Sequence, residues 1–195
     1  MAVRFERYAD DMVCHCRTEE QARALTHALQ GRLKECGLTL HPEKTRIVYC
    51  KDSRRKGHYS EVSYTFLGYT FQPRASRDRR KGEIFTGFLP AASREAQKHF
   101  RRKLRESKLA RYEQLPIHEV AKCLNPLLRG WFSYFSQFYR SALTHVYFTV
   151  ERRLTQWAMG KYRWCRRKAT HWLQRLKRRE PKLFAHWDIL GISNC

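Results

Sequence analysis

Apolar and polar residues alternate from Val3 to Cys16, with Val3 and Phe5 set against Arg4, Glu6 and Tyr8, and Met12-Val13-Cys14 resuming an apolar run after Asp10-Asp11. Period-two alternation broken by a short polar pair predicts two strands joined by a tight turn, with the carboxylates at its tip. The period then changes. Ala22, Leu25, Leu29, Leu33 and Cys36 recur every three or four residues and predict a helix resting on a sheet. Thr18 and Gln21 form a capping box at its start, Glu19 and Glu20 suit the positive helix end, and Gly37 stops it. Strands are predicted at 38–40 and 46–50 around the turn His41-Pro42-Glu43-Lys44, then at 64–71 and 83–89. The basic stretch 72–82 between the last two reads as a flexible loop or as an arm that orders on RNA.

From Ser93 the pattern is helical. Ala96, Phe100 and Leu104 mark one face, and a second helix runs from Ile117 to Asn125, where Pro126 interrupts it. An aromatic-rich segment follows at 127–140, then a long helix at 141–161 and a basic one at 163–178. The fold class is α+β, an antiparallel sheet with a packed helix followed by an all-α bundle. The predicted domains are 1–91 and 92–180, with a tail at 181–195.

Charge sharpens this division. The chain of 195 residues carries 40 Lys and Arg against 18 Asp and Glu, a net of +22. Residues 1–71 hold 12 basic and 9 acidic side chains, a net of +3, whereas residues 72–195 hold 28 and 9, a net of +19. Such a field favours a polyanionic partner. An aromatic content of 13% adds stacking surfaces for bases. The clusters Arg101-Arg102-Lys103, Arg152-Arg153, Arg166-Arg167-Lys168 and Lys177-Arg178-Arg179, with Arg129 and Arg140, are the candidate phosphate contacts. The seven cysteines are odd in number and form no CxxC pair, so they read as buried thiols in a reducing cytosol rather than as a zinc site. No apolar run is long enough to span a membrane.

Adjacent carboxylates at a hairpin tip repel each other unless a cation joins them. Magnesium takes carboxylate oxygens and shares them with substrate phosphates, and two such ions can serve nucleotidyl transfer. Asp10 is then the main ligand and Asp11 a supporting one.

The motif FERYADD resembles the catalytic Tyr-x-Asp-Asp hairpin of reverse transcriptases. LTLHPEKT at 38–45 and YTFLGYTF at 64–71 resemble the next two blocks of group II intron reverse transcriptases. LNPLLRGWFSYF at 124–135 is similar to that family's maturase-specific thumb, and PKLFAHW at 181–187 resembles bacterial members. The resemblance implies part of a palm followed by a maturase or thumb bundle. It implies that Tyr8 and Ala9 lie near the primer end, beside the metal-binding Asp10 and Asp11. It places Lys44 near the incoming nucleotide and Phe66, Leu67, Gly68 and Tyr69 along the primer strand. Gly130, Trp131, Tyr134 and Phe135 match the thumb helix, and Trp131, Tyr134 and Phe135 share one helical face.

The implied activity is RNA-directed DNA polymerisation with Mg2+ and assistance of intron splicing. The implied partners are group II intron RNA and an RNA/DNA template-primer. Fingers and the first palm aspartate precede this region in the family. The polymerase site is therefore expected to be incomplete in this chain and to need an N-terminal half or a dimer partner. Alone, the chain is expected to be inactive as a polymerase, in a bacterial cytoplasm with nucleic acid. The alternatives are a non-catalytic RNA-binding maturase piece and a degenerate mobile-element relic.

If phosphate contacts dominate, affinity for structured RNA falls by about a thousandfold or more between 50 and 200 mM salt. A filter-binding titration checks this, and salt-independent binding would remove the basic surface as the interface.

Overall fold

The computed structural model describes residues 3–78 and 82–190. The chain divides into two compact units, residues 1–89 and 90–195. The fold is α+β, with two small antiparallel sheets preceding the helical region.

In the first unit, β1 (Arg4–Tyr8) pairs with β2 (Asp11–His15) in a register running from Arg4↔His15 to Tyr8↔Asp11. Helix α1 (Glu19–Glu35) is capped by Thr18, whose hydroxyl accepts from the Gln21 N–H. None of its residues is buried, and its predicted apolar stripe, Ala22, Leu25, Leu29 and Leu33, is only half-buried. The strands expected at 38–40 and 46–50 are absent. A ladder needs a continuous neighbour. The segment 46–53 instead makes scattered backbone bonds, from Tyr49 N–H to Glu61 O and from Ser53 N–H to Thr86 O, both 2.9 Å.

The block read as one strand at 64–71 is a hairpin: β3 (Tyr64–Phe66) turns at Leu67-Gly68 into β4 (Tyr69–Arg77). Leu67 and Gly68 have φ of 51° and 77°, the paired positive angles of a two-residue hairpin turn. Strand β4 also absorbs much of the stretch expected to be a loop. Proline lacks an N–H for a ladder, but β3 pairs only as far as Tyr64↔Phe71, so Pro73 lies where one side of β4 has no β3 partner. Strand β5 (Ile84–Ala92) completes the second sheet, in the order β3-β4-β5. Residues 79–81 of the basic stretch lie outside the described residues.

In the second unit, α2 (Arg94–Glu106) is capped by Ser93 and buries Phe100 and Leu104. Helix α3 (Ile117–Phe135) runs straight through Pro126, where an interruption was expected. A proline inside a helix costs about 3 kcal/mol, but Val120, Leu124, Leu128 and Phe132 are buried on both sides of it. Each such side chain contributes roughly 1.5–3 kcal/mol on burial, so packing wins. Helix α4 (Thr144–Tyr162) buries Val146, Val150, Leu154 and Trp157, and α5 (Arg166–Arg179) packs on it through Ala169, Leu173 and Leu176.

Residues 181–190, expected as part of a tail, join this core. Helix α6 (Ala185–Leu190) packs on α3, with Phe184, His186 and Trp187 buried. Asn125 clips it in place: its Nδ2 donates to Leu183 O and its Oδ1 accepts from Ala185 N–H, each 2.9 Å. Glu151 of α4 accepts from His186 Nε2 at 2.8 Å and from Trp187 Nε1 at 2.7 Å. Nearby, Lys177 Nζ donates to the Tyr147 hydroxyl at 2.7 Å. Residues 191–195 lie outside the described residues.

Burial pushes the His186 pKa down, against the opposing pull of Glu151. An unfolded histidine titrates near 6.5, so in acid the unfolded chain takes up a proton that the buried ring resists. The contribution of His186 is therefore intact above about pH 6.5 and is lost as the pH falls toward its lower folded value. Urea unfolding between pH 7.5 and 5 should show stability declining with acidification, and His186→Gln should flatten that decline. Equal slopes in the two proteins would show that His186 is not its source.

Candidate functional site

The Asp10-Asp11 tip is built by register. Tyr8 faces Asp11 across the last rung, leaving Ala9 and Asp10 as a two-residue turn. Ala9 takes φ of 52°, a left-handed angle that costs a non-glycine residue about 1–2 kcal/mol. Arg7 Nε donates to the Ala9 carbonyl at 2.9 Å and holds that turn. Asp10 and Asp11 are exposed, as is Tyr8 at 65%. The tip thus presents two adjacent carboxylates to solvent.

The second hairpin repeats the device. Phe66 faces Tyr69, the Thr65 and Thr70 hydroxyls meet at 3.0 Å, and Tyr64 stacks on Phe71 with centroids 4.8 Å apart. Tyr69 is buried and Leu67 is exposed at the turn. Lys44 lies exposed in the turn 42–44, which is closed by Thr45 N–H donating to His41 O at 2.9 Å.

The candidate phosphate-binding side chains differ in availability. Arg102, Lys103, Arg129, Arg140, Arg152, Arg166, Arg167 and Lys168 are exposed. Arg101 and Arg153 are half-buried, and Arg101 donates to Gln97 O and His145 Nε2, each at 3.2 Å. Arg140 Nε donates to Ser136 O at 3.0 Å and so also closes the end of α3. Lys177 is half-buried, with its Nζ held on the Tyr147 hydroxyl and ring, and burial lowers its pKa. Of the thumb aromatics, Phe135 is buried, Trp131 is half-buried and Tyr134 is 46% exposed.

The start of α5 is electrostatically costly. Its first turn carries Arg166, Arg167 and Lys168, has no acidic residue, and is preceded by Cys165 without a side-chain cap. Cations at the positive end of a helix each cost about 0.3–1 kcal/mol. A bound anion removes that penalty and meets unpaired backbone N–H groups as well.

Magnesium is commonly held by one or two carboxylates together with substrate phosphates. Asp10 and Asp11 match that part of a shell. Among the described residues no group of three or more His, Cys, Asp or Glu could hold a metal ion, so these two side chains fill only part of a site. Among the described residues the cysteines do not form one: Cys36, Cys123 and Cys165 are exposed, and Cys14, Cys16 and Cys50 are half-buried rather than buried as expected, while Cys195 lies outside the described residues.

Residues 2–71 match the family described as reverse transcriptase (RNA-dependent DNA polymerase). Residues 97–179 match the family described as group II intron, maturase-specific domain. In that order, the two matches support a group II intron reverse transcriptase and maturase. No curated protein and no solved structure gives a significant match. The reverse transcriptase match contains the first hairpin and the turn of the second, and the maturase-specific match contains α3, α4 and α5. Among the described residues no helix is long and apolar enough to cross a membrane.

Sequence reasoning missed the Glu151–His186–Trp187 cluster, whose partners lie 35 and 36 residues apart. It also missed His99 as a neighbour of the thumb aromatics across a groove. No local pattern signals either pairing.

The maturase helix α5 gives a test that separates folding from binding. Replacing Arg166 and Arg167 by Glu removes two such penalties and should raise stability by about 1–2 kcal/mol through the helix dipole. The same change should weaken structured-RNA binding by roughly tenfold or more. Calorimetry and fluorescence anisotropy read the two effects. A stability gain with unchanged affinity would remove this helix end from the interface.

Proposed function

We propose that this chain binds intron RNA through its basic helical unit and contributes the Asp10-Asp11 carboxylates to a magnesium-dependent, RNA-directed DNA polymerase site. The observation that carries the reading is the exposed pair of aspartates, held at a two-residue turn inside the reverse transcriptase match. Asp10 and Asp11 would hold the metal, with substrate phosphates and a ligand from outside the described residues filling the rest of the shell. When bound, magnesium supplies charge neutralisation at the reacting phosphate. The chain's own residues position the tip: Arg7 fixes the turn carbonyl, and Tyr8 stands beside the carboxylates. Lys44 would offset triphosphate charge, and the turn at Leu67-Gly68 would lie along the primer. The exposed cations of α2, α3, α4 and α5 would grip phosphates along the RNA.

A second reading, an RNA-binding maturase without polymerase chemistry, is favoured by the absence of a third converging ligand among the described residues. Iron-mediated cleavage decides between them. Ferrous ion substituted for magnesium should cut a bound primer within a few nucleotides of its 3′ end. The double variant Asp10→Asn, Asp11→Asn should lose those cuts while keeping its affinity for RNA. Cuts that persist in the variant would show that the aspartates do not hold the ion. Absence of primer cuts with RNA binding intact would favour the non-catalytic reading.

A further inference from the structure

Helices α2 and α3 enclose an open groove of about 390 Å³. It is a shallow, open depression that covers one face of an occupant rather than enclosing it. Its wall is aromatic: Phe100 and Trp131 meet with centroids 4.6 Å apart, and the neighbouring Tyr134 is 46% exposed. Its titratable lining is Lys103, His99 and the Tyr134 phenol, with no carboxylate. Two poor helix formers, Pro126 and Gly130, sit one turn apart on the same wall.

Gly130 is the informative residue. Glycine inside a helix is justified when a neighbour leaves no room for a side chain. A Cβ built at Gly130 meets nothing within 4 Å. The packing of this protein therefore does not require glycine there, and the bare backbone leaves this part of the groove wall open.

We propose that this groove takes one unpaired RNA base, stacked against the Trp131 and Tyr134 side, with Lys103 at the adjoining phosphate. The proposal rests on the RNA-binding reading and names what part of the RNA the site holds. Charge favours this occupant: the lining carries a cation and no anion, in the region of the sequence with a net of +19 (28 basic, 9 acidic, residues 72–195). A base in a double helix cannot offer its face to an aromatic ring, so the occupant is a bulged or looped nucleotide.

Two RNA hairpins that differ only by a single bulged 2-aminopurine provide the test, with the full chain and Gly130→Leu. Leucine fills the groove, improves helix propensity and meets no neighbour at its Cβ, so the variant should be at least as helical and stable as the parent. The parent should bind the bulged hairpin about tenfold more tightly than the paired one and quench the 2-aminopurine, and Gly130→Leu should reduce that preference to about twofold or less while binding the paired hairpin unchanged. Equal binding of both hairpins by the parent, without quenching, would overturn the base site and leave RNA binding standing. Failure to bind either RNA would overturn both. Self-association that Gly130→Leu abolishes, with the RNA preference unaltered, would assign the groove to a second copy of the chain and overturn the proposal.

Discussion

Forty basic side chains against eighteen acidic ones must be kept out of the core. The rest of the structure follows from that constraint. The helical unit meets it by segregation. Its interior is built from apolar side chains such as Leu128, Phe132, Val146, Leu154 and Phe184, each less than 2% exposed. The arginines that alternate with them in sequence stay at or near the surface. Lys177 is the instructive exception, because its ammonium is drawn onto the Tyr147 hydroxyl and ring. The start of α5 makes the opposite choice: it keeps three cations where the helix dipole opposes them, a cost that a bound phosphate would remove.

The two units are held together internally in different ways. The helical unit has a continuous apolar interior, sealed at α6 by the Asn125 clip and by the Glu151 bonds to His186 and Trp187. The first unit relies on hairpins, caps and scattered backbone bonds, and its helix α1 buries no residue. Each hairpin spends backbone strain on a tight turn, at Ala9 in one and at Leu67 in the other. Both turns coincide with motifs singled out for chemistry, which is where strain is commonly stored.

Much of this was legible in the sequence, and the failures have physical causes. The β1–β2 hairpin, the Thr18 and Ser93 helix starts and the face marked by Phe100 and Leu104 follow from period, capping and charge. The Leu67-Gly68 turn was hidden because leucine rarely adopts a left-handed angle, so the run read as one strand. Pro126 misled because local propensity was weighed without the core that overrides it. Residues 185–190 of the expected tail form a helix because Asn125 and Glu151, far away in sequence, hold them. The candidate site shows the same split. The carboxylate tip was visible in a local motif, whereas the groove at Gly130 depends on how α2 meets α3.

The proposed function divides the labour, with RNA gripped by the basic helices and carboxylates presented by the first hairpin. Ultraviolet crosslinking of bound intron RNA, mapped by mass spectrometry on the protein, tests it most directly. The account predicts crosslinks concentrated on α2, α3 and the start of α5, including peptides bearing Trp131, Tyr134 and Arg166–Lys168. Crosslinks confined to residues 1–71, or scattered evenly along the chain, would contradict it.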